Sequence, residues 1–278
     1  MRGRLLRFGL STVLGLKKRG FFIPYRYADQ VPARADRFAY DALEPLFAAA
    51  EPTFRALIEA MAPYADDLYA IGDAPPPEPR WSQDWFPRLD AAAAYVFVRE
   101  AKPRRIVEVG SGHSTRFMAR AIRDGGLATE IVSIDPAPRA DIEGTGATVI
   151  RSTVQRAGLP PFSSLAEGDV LFIDSSHILM PGTDVDMLFN EVLPRLQRGV
   201  MVHIHDIFLP DDYPPEWDWR GYNEQLGVAA LLQGRGYRIL WSSHYAATRM
   251  EDAVQASAAG ILELKAGAFE ASLWLVKV

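Results

Sequence analysis

The chain of 278 residues has only five histidines. His113, His177, His203 and His205 stand at or just past the C-terminal ends of short apolar runs, and His244 follows another. Two of these run ends join imidazole to carboxylate: Phe172-Ile173-Asp174-Ser175-Ser176-His177 and Val202-His203-Ile204-His205-Asp206. Imidazole gains and loses a proton near neutral pH, and a neighbouring carboxylate orients it, so the pairing suits general acid–base work. Asp174, His177, His205 and Asp206 are the candidate catalytic residues, with His205 or His177 as the base. On a strand His203 and His205 share one face and Asp206 points to the other. A helix over that face would make one or both histidines satisfied core residues, and Asp174 accepting from His205 would be a structural ion pair.

Two further signals concern ligand binding. Val107-Glu108-Val109-Gly110-Ser111-Gly112-His113-Ser114-Thr115 runs a strand through Gly-x-Gly into a helix. Glycines there allow a tight turn and close approach of a ligand, and the helix start offers free N–H groups. A dinucleotide site carries a third glycine where this chain has Thr115. The Glu108 carboxylate repels a pyrophosphate and suits a cationic ligand. Asp135, in Ser133-Ile134-Asp135-Pro136, ends the next strand, the place from which a carboxylate accepts the hydroxyls of a ribose. The plainer readings are a glycine turn that binds nothing and an aspartate that caps its own turn.

These residues need elements to position them. From Arg104 onward strands and helices alternate: strands over 106–109, 130–134, 147–150, 169–173, 200–204, 237–242 and 272–276, helices over 114–123, 184–196 and 223–232. That alternation predicts a parallel sheet covered on both faces, closed by an antiparallel C-terminal strand, with residues 250–259 as the only late covering helix. Ligands in such sheets lie at the C-terminal strand ends, where the motifs fall. Upstream, residues 1–85 read as a helical N-terminal extension. Phe38 to Met61 is cut by Pro45 and Pro52 into short helices, and Ala74 to Pro79 is a stiff linker. A helix over 89–100 is closed by Pro103. The domain expected to carry the chemistry spans 86–278.

Composition narrows the function. Apolar residues at 49% and charged residues at 23% are ordinary globular values. Zero cysteine excludes disulfides, thiolate catalysis and cysteine metal sites, and fits a reducing, cytoplasmic setting. A net charge of −5 excludes the whole chain as a nucleic-acid footprint. Residues 1–28, however, carry +7 and no acid. Leu6, Leu10, Val13 and Leu14 repeat there at helical spacing. This basic arm reads as a docking helix or homo-oligomer arm, a peripheral membrane contact, or a targeting peptide. Between Phe208 and Tyr222 lie Tyr213, Trp217, Trp219 and four acids. Aromatic faces among acids suit a polar small-molecule substrate, and a Pro-rich crossover is the plainer reading.

The ordered set of motifs resembles the class I S-adenosylmethionine-dependent methyltransferases, most closely a bacterial group acting on small molecules. The resemblance rests on Gly110-Ser111-Gly112-His113-Ser114-Thr115, the acid Asp135, Asp174-Ser175-Ser176-His177 and His205-Asp206-Ile207-Phe208-Leu209-Pro210. Gly20-Phe21-Phe22-Ile23-Pro24-Tyr25 and Trp81-Ser82-Gln83-Asp84-Trp85 extend it upstream. It implies a Rossmann-like, doubly wound seven-stranded α/β sheet with one antiparallel strand near the C-terminus, plus the helical extension. It implies S-adenosylmethionine as cofactor, whose sulfonium and ammonium are the cations that Glu108 suits. Glu108, Gly110 and Gly112 then hold its methionine part and Asp135 its ribose, with Ser111, Ser114 and Asp174 also cofactor-binding. The implied reaction is methyl transfer to a small polar molecule, on oxygen. Catechol-type and macrolide-type relatives bind a divalent metal at positions matching Asp174, His205 and Asp206. That would make this trio a Mg or Mn site, with His205 departing from the usual oxygen ligand. A metal-dependent oxidoreductase or hydroxylase on the same fold, or a non-enzymatic S-adenosylmethionine-binding protein, is the alternative.

Overall fold

The structure, a computed structural model, describes residues 2–37 and 39–278 and divides into two compact units, residues 1–37 and 38–278. In the first, α1 (Arg2–Val13) is the expected amphipathic helix. It ends in a Schellman turn: Gly15 takes φ +69°, its N–H donates to the Thr12 carbonyl, and the Leu16 N–H donates to the Ser11 carbonyl. The rest of this unit is extended, with single helical turns at Ala28–Gln30 and Arg34–Asp36.

The second unit begins with α2 (Glu44–Ala48), α3 (Glu51–Ala60), α4 (Ala65–Tyr69) and α5 (Arg88–Ala101). Pro45 and Pro52 sit in the first turn of α2 and α3, where a missing N–H costs nothing, so they start these helices rather than break them. Phe38, the first residue of that expected stretch, lies outside the described residues. The boundary expected near residue 85 falls inside the unit. Phe54 of α3 meets Trp241 edge-on at 5.8 Å, and Trp81 packs on Phe117 at 4.9 Å.

The sheet follows in the predicted alternation. Its elements are β1 (Arg105–Val109), α6 (His113–Asp124), β2 (Glu130–Ile134), β3 (Thr148–Ile150), α7 (Val154–Ala157), α8 (Pro160–Ser163), β4 (Val170–Ile173), α9 (Asp184–Met187), β5 (Met201–Ile204), α10 (Glu224–Gln233), β6 (Tyr237–Ser242), α11 (Ser243–Arg249), α12 (Glu251–Gln255) and β7 (Leu273–Lys277). The strand order is β3-β2-β1-β4-β5-β7-β6, and only β7 runs antiparallel to its neighbours. The expected doubly wound seven-stranded fold is therefore present. β4 and β5 are buried at every residue, and that is why their sequences are continuous apolar runs.

One helix differs from expectation. The stretch 184–196 is helical only as α9, then widens into a π-type turn at Leu188–Val192 and tightens into a single turn at Leu193–Arg195. Pro194 has no N–H to give and its ring crowds the preceding turn, so a regular ladder cannot pass it. The late covering segment is likewise two short helices, α11 and α12, broken at Met250.

Candidate active site

β1, β4 and β5 lie side by side, and their C-terminal ends open into one cleft of about 290 Å³. Ser111, Gly112 and Ser114 line one side of it, and Asp174, Ser175, His177, His205 and Asp206 line the floor. The parallel pairing sets this up: Val109 stands opposite Ile173, and Ile173 opposite Ile204. The next residues of all three strands therefore emerge together.

The glycine loop is clamped to β4. Gly110 takes φ +84°, and a Cβ there would lie 2.0 Å from the Asp174 carbonyl oxygen. Any side chain would displace the strand end that carries Asp174. At the start of α6 the Thr115 hydroxyl accepts from the Gly112 N–H at 2.9 Å, which fixes the helix entry.

Glu108 stands behind the glycine loop. It is fully buried, and its carboxylate accepts from the hydroxyls of Ser114, Thr115 and Ser133 at 2.6–2.7 Å. Burial pushes its pKa up to about 7 against these hydrogen bonds. It braces the loop from behind instead of facing the cleft. Asp135 accepts from the Ser111 hydroxyl at 2.9 Å and from the Ala137 N–H at 2.8 Å. It caps its own turn while standing against a cleft residue.

Three of the four candidate catalytic residues, Asp174, His177 and Asp206, converge around the His177 ring. His177 Nε2 lies 3.3 Å from Asp174 Oδ1 and 3.4 Å from Asp206 Oδ2, and its Nδ1 lies 2.9 Å from Glu224 Oε2. Burial lowers the His177 pKa, but the carboxylates of Asp206, Asp174 and Glu224 outweigh it and hold the ring well above its usual value. These three carboxylates favour the protonated ring. Burial raises Asp174, and the hydrogen bond from His177 with the charge of His205 more than reverses that, so Asp174 stays ionised. Burial also raises Glu224. His177 and Asp206 both hold left-handed backbone, φ +59° and +58°. Such conformations in non-glycine residues cost energy and cluster at functional sites.

His205 is separate from this knot. Its Nε2 lies 2.9 Å from the Trp85 carbonyl oxygen, to which it donates, and 3.5 Å from Asp206 Oδ1. Its buried Nδ1 has no partner. Burial lowers its pKa, and Asp206, Asp174 and Asp90 together raise it above the usual value, against the charge of His177. His203 is a core residue: it stacks on Phe172 at 3.7 Å, accepts or donates at Ser272 Oγ, and is held neutral by burial. His113 lines the cleft with its pKa pushed down to about 4 by burial and by Arg116 and Arg80. His244 bonds Asp211 at 2.6 Å, away from the cleft residues.

The expected metal ligands do not form a ligand set. Asp174 and Asp206 meet at His177 Nε2, so the imidazole ring already stands between the two carboxylates, and His205 is turned to the Trp85 carbonyl. Among the described residues no group of three or more His, Asp or Glu side chains is arranged to hold a metal ion.

Several residues that line the cleft or back it had no signal of their own in the sequence. Glu224 opens α10, where an acid reads as a partner of the helix dipole. Arg139 and Phe86 enter from connections between elements, alongside Trp85, the end of the upstream Trp81–Trp85 motif. Arg220 lies over the Trp217 ring at 4.1 Å and near those of Trp219 and Tyr222 at 5.3 Å. The aromatic segment after β5 is divided between core and cleft. Phe208 and Tyr213 pack in a small buried cluster, while Trp217, Trp219 and Tyr222 line the cleft.

A protein-family profile described as a methyltransferase domain matches residues 107–207. No curated protein sequence matches the chain. Among solved structures, the chain is similar to an SAH-bound methyltransferase of Podospora anserina at 15% identity, covering 93% of this chain and 99% of that one, TM-score 0.43. It is similar to an SAH complex of a Bacillus cereus O-methyltransferase at 12% identity, covering 86% and 96%, TM-score 0.42. It is also similar to the O-methyltransferase TomG of Streptomyces achromogenes, in complex with SAM, at 15% identity, covering 80% and 89%, TM-score 0.42. The profile match spans β1 to β5, the strands that carry the glycine loop, Asp174, His177, His205 and Asp206. This match agrees with the resemblance read from the motifs and covers residues 107–207 of the chain.

Proposed function

We propose that the chain transfers a methyl group from S-adenosylmethionine to a hydroxyl of a small polar molecule, with His205 as the proton acceptor. The observation that carries this reading is one cleft shared by the glycine loop and the acid–imidazole strand ends. Ser175 Oγ, His113 Nδ1 and His205 Nδ1 are buried without partners, and all three residues line that cleft. Buried polar atoms of this kind are satisfied by a polar ligand.

When bound, S-adenosylmethionine supplies a methyl group activated by its sulfonium. The tight loop at Gly110 and Gly112 would give its methionine part close backbone approach, and Asp135 beside Ser111 would accept from the ribose hydroxyls. Asp174, held ionised, offers an acceptor that orients the acceptor hydroxyl. Transfer forms a C–O bond, breaks the C–S bond and frees the hydroxyl proton. His177, with both ring nitrogens already on carboxylates, has none free to take it and instead bridges Asp174 and Asp206. Neutral His205, with Nε2–H on the Trp85 carbonyl, has Nδ1 free to accept it. Trp217, Trp219, Tyr222 and Arg220 form the wall on which a flat or hydroxylated acceptor rests.

Calorimetry with S-adenosylmethionine, S-adenosylhomocysteine and NAD tests the cofactor, and release of S-adenosylhomocysteine across a panel of hydroxylated acceptors tests the reaction. Binding of both adenosyl ligands without NAD is expected. NAD binding with no response to either adenosyl ligand overturns the reading. Because His205 must be neutral, turnover is expected to rise with pH through a value above the ordinary histidine pKa. Asp206, Asp174, Asp90 and His177 face it and set that value. Asp90→Asn should shift the limb to lower pH, and an unmoved limb would remove His205 from the base role.

A further inference from the structure

We infer that residues 2–26 form a docking surface for an anionic lipid bilayer. The geometry points to an amphipathic arm with its apolar side open. Leu6, Leu10 and Val13 lie on one face of α1 and are 64%, 52% and 59% exposed. The exposure continues past the helix end through Leu14 and Leu16, and again through Phe21, Phe22 and Ile23. Such large apolar side chains left in water are costly unless a partner covers them.

Charge identifies the partner. Arg4, Arg7, Lys17, Lys18, Arg19 and Arg26 accompany these residues, and no acid occurs before Asp29. Within α1, Arg4 projects from the side opposite Leu6 and Val13. Arg4, Arg7 and Arg19 all gather at the Phe8 ring, within 5.2–5.7 Å. An apolar face bordered by cations matches the headgroup boundary of an anionic membrane, where acyl chains take the leucines and phosphates take the cations. Nucleic acid would use the cations and leave the leucines in water. A second copy of the chain would bring seven cations against seven. The arm therefore adds a membrane-surface contact to the chemistry of the cleft, and does not depend on it.

Flotation of the full chain with vesicles tests this without any readout of activity. The probes are phosphatidylcholine vesicles and vesicles of phosphatidylcholine with phosphatidylserine in a roughly two-to-one ratio. Expected is binding to the mixed vesicles alone, weakened by salt. Lys18→Gln with Arg19→Gln should weaken it by roughly fivefold per charge removed. Leu6→Ser with Leu10→Ser should abolish it while the thermal unfolding of the chain is unchanged. No binding to the mixed vesicles overturns the inference. So does a chain that sediments as a dimer and becomes monomeric in the leucine variant without vesicle binding, which assigns the face to a second copy. Equal binding to a single-stranded oligonucleotide, insensitive to the leucine changes, also overturns it.

Discussion

A carboxyl group enclosed by three hydroxyls and no cation is easier to bury protonated than charged, and Glu108 is such a group. Its folded pKa of about 7 lies above the ordinary 4.5, so the fold prefers the protonated form. The stability this contributes is complete below the unfolded value and is lost as pH rises through about 7. At about 1.4 kcal/mol per pKa unit the loss amounts to roughly 3 kcal/mol. Glu108→Gln keeps a side chain the hydroxyls can bond and removes the titration. Denaturant unfolding on both sides of the window should show the wild type losing stability with rising pH and the variant losing less. Parallel curves would mean that Glu108 is already charged when folded. His177 has the same sign: stability from its pairing is present at low pH and fades as pH rises through its raised pKa. The acid–imidazole strand ends were legible in the sequence because each stands at the end of an apolar run. Their roles were not. Glu108 and Thr115 form one hydrogen-bonded unit across seven positions, and Glu224 reaches His177 across 47, contacts that no local pattern encodes.

At the level of elements, two clamps hold the cleft. One is Gly110 against the Asp174 carbonyl, which locks the β1 loop to the end of β4. Gly110→Ala forces both a left-handed alanine and a 2.0 Å overlap, so a lower melting temperature and lost S-adenosylhomocysteine affinity are expected. A variant that binds normally would show the loop free to shift. The other clamp ties the start of α5 to the segment before β7. Arg88 makes a two-pronged pair with Glu270 at 2.8 and 2.9 Å, Glu270 also accepts from the Leu89 N–H, and Asp90 accepts from the N–H groups of Ala271 and Ser272. All three side chains are buried. Removing one member of a buried pair costs about 3–5 kcal/mol because its partner is stranded, whereas replacing both is much milder. Urea titration of Arg88→Met, Glu270→Leu and the double variant should show the double as less destabilised than either single. Equal or additive losses would show the pair to be solvated. The strands were readable from their continuous apolar runs. The segment 184–196 was not, because its apolar spacing is helical throughout while Pro194 interrupts the hydrogen bonds beneath it.

Over the whole molecule, the charge break after residue 28 and the packing break after residue 37 both set off an N-terminal arm. Residues 1–28 carry +7 and the remainder −12, out of a total of −5. The compact units separate at residues 37 and 38, and every residue of the cleft belongs to the second. The sequence showed the charge break clearly, yet placed the domain start near residue 86, because α2 to α4 look like an independent helical cap. They are not independent: Phe47, Phe54, Met61 and Leu68 are buried in the same core as the sheet. A chain starting at residue 38 should therefore keep its core and its cleft, while one starting at residue 86 loses a wall of the core and should not fold. The shorter deletion is expected to leave unfolding free energy within about 0.5 kcal/mol of the full chain, the scale of surface changes. Its affinity for S-adenosylhomocysteine should stay unchanged by calorimetry. Unfolding or loss of that affinity on removing residues 1–37 would show that the basic arm helps build the site. Retained affinity together with lost vesicle binding would separate membrane contact from chemistry within one chain.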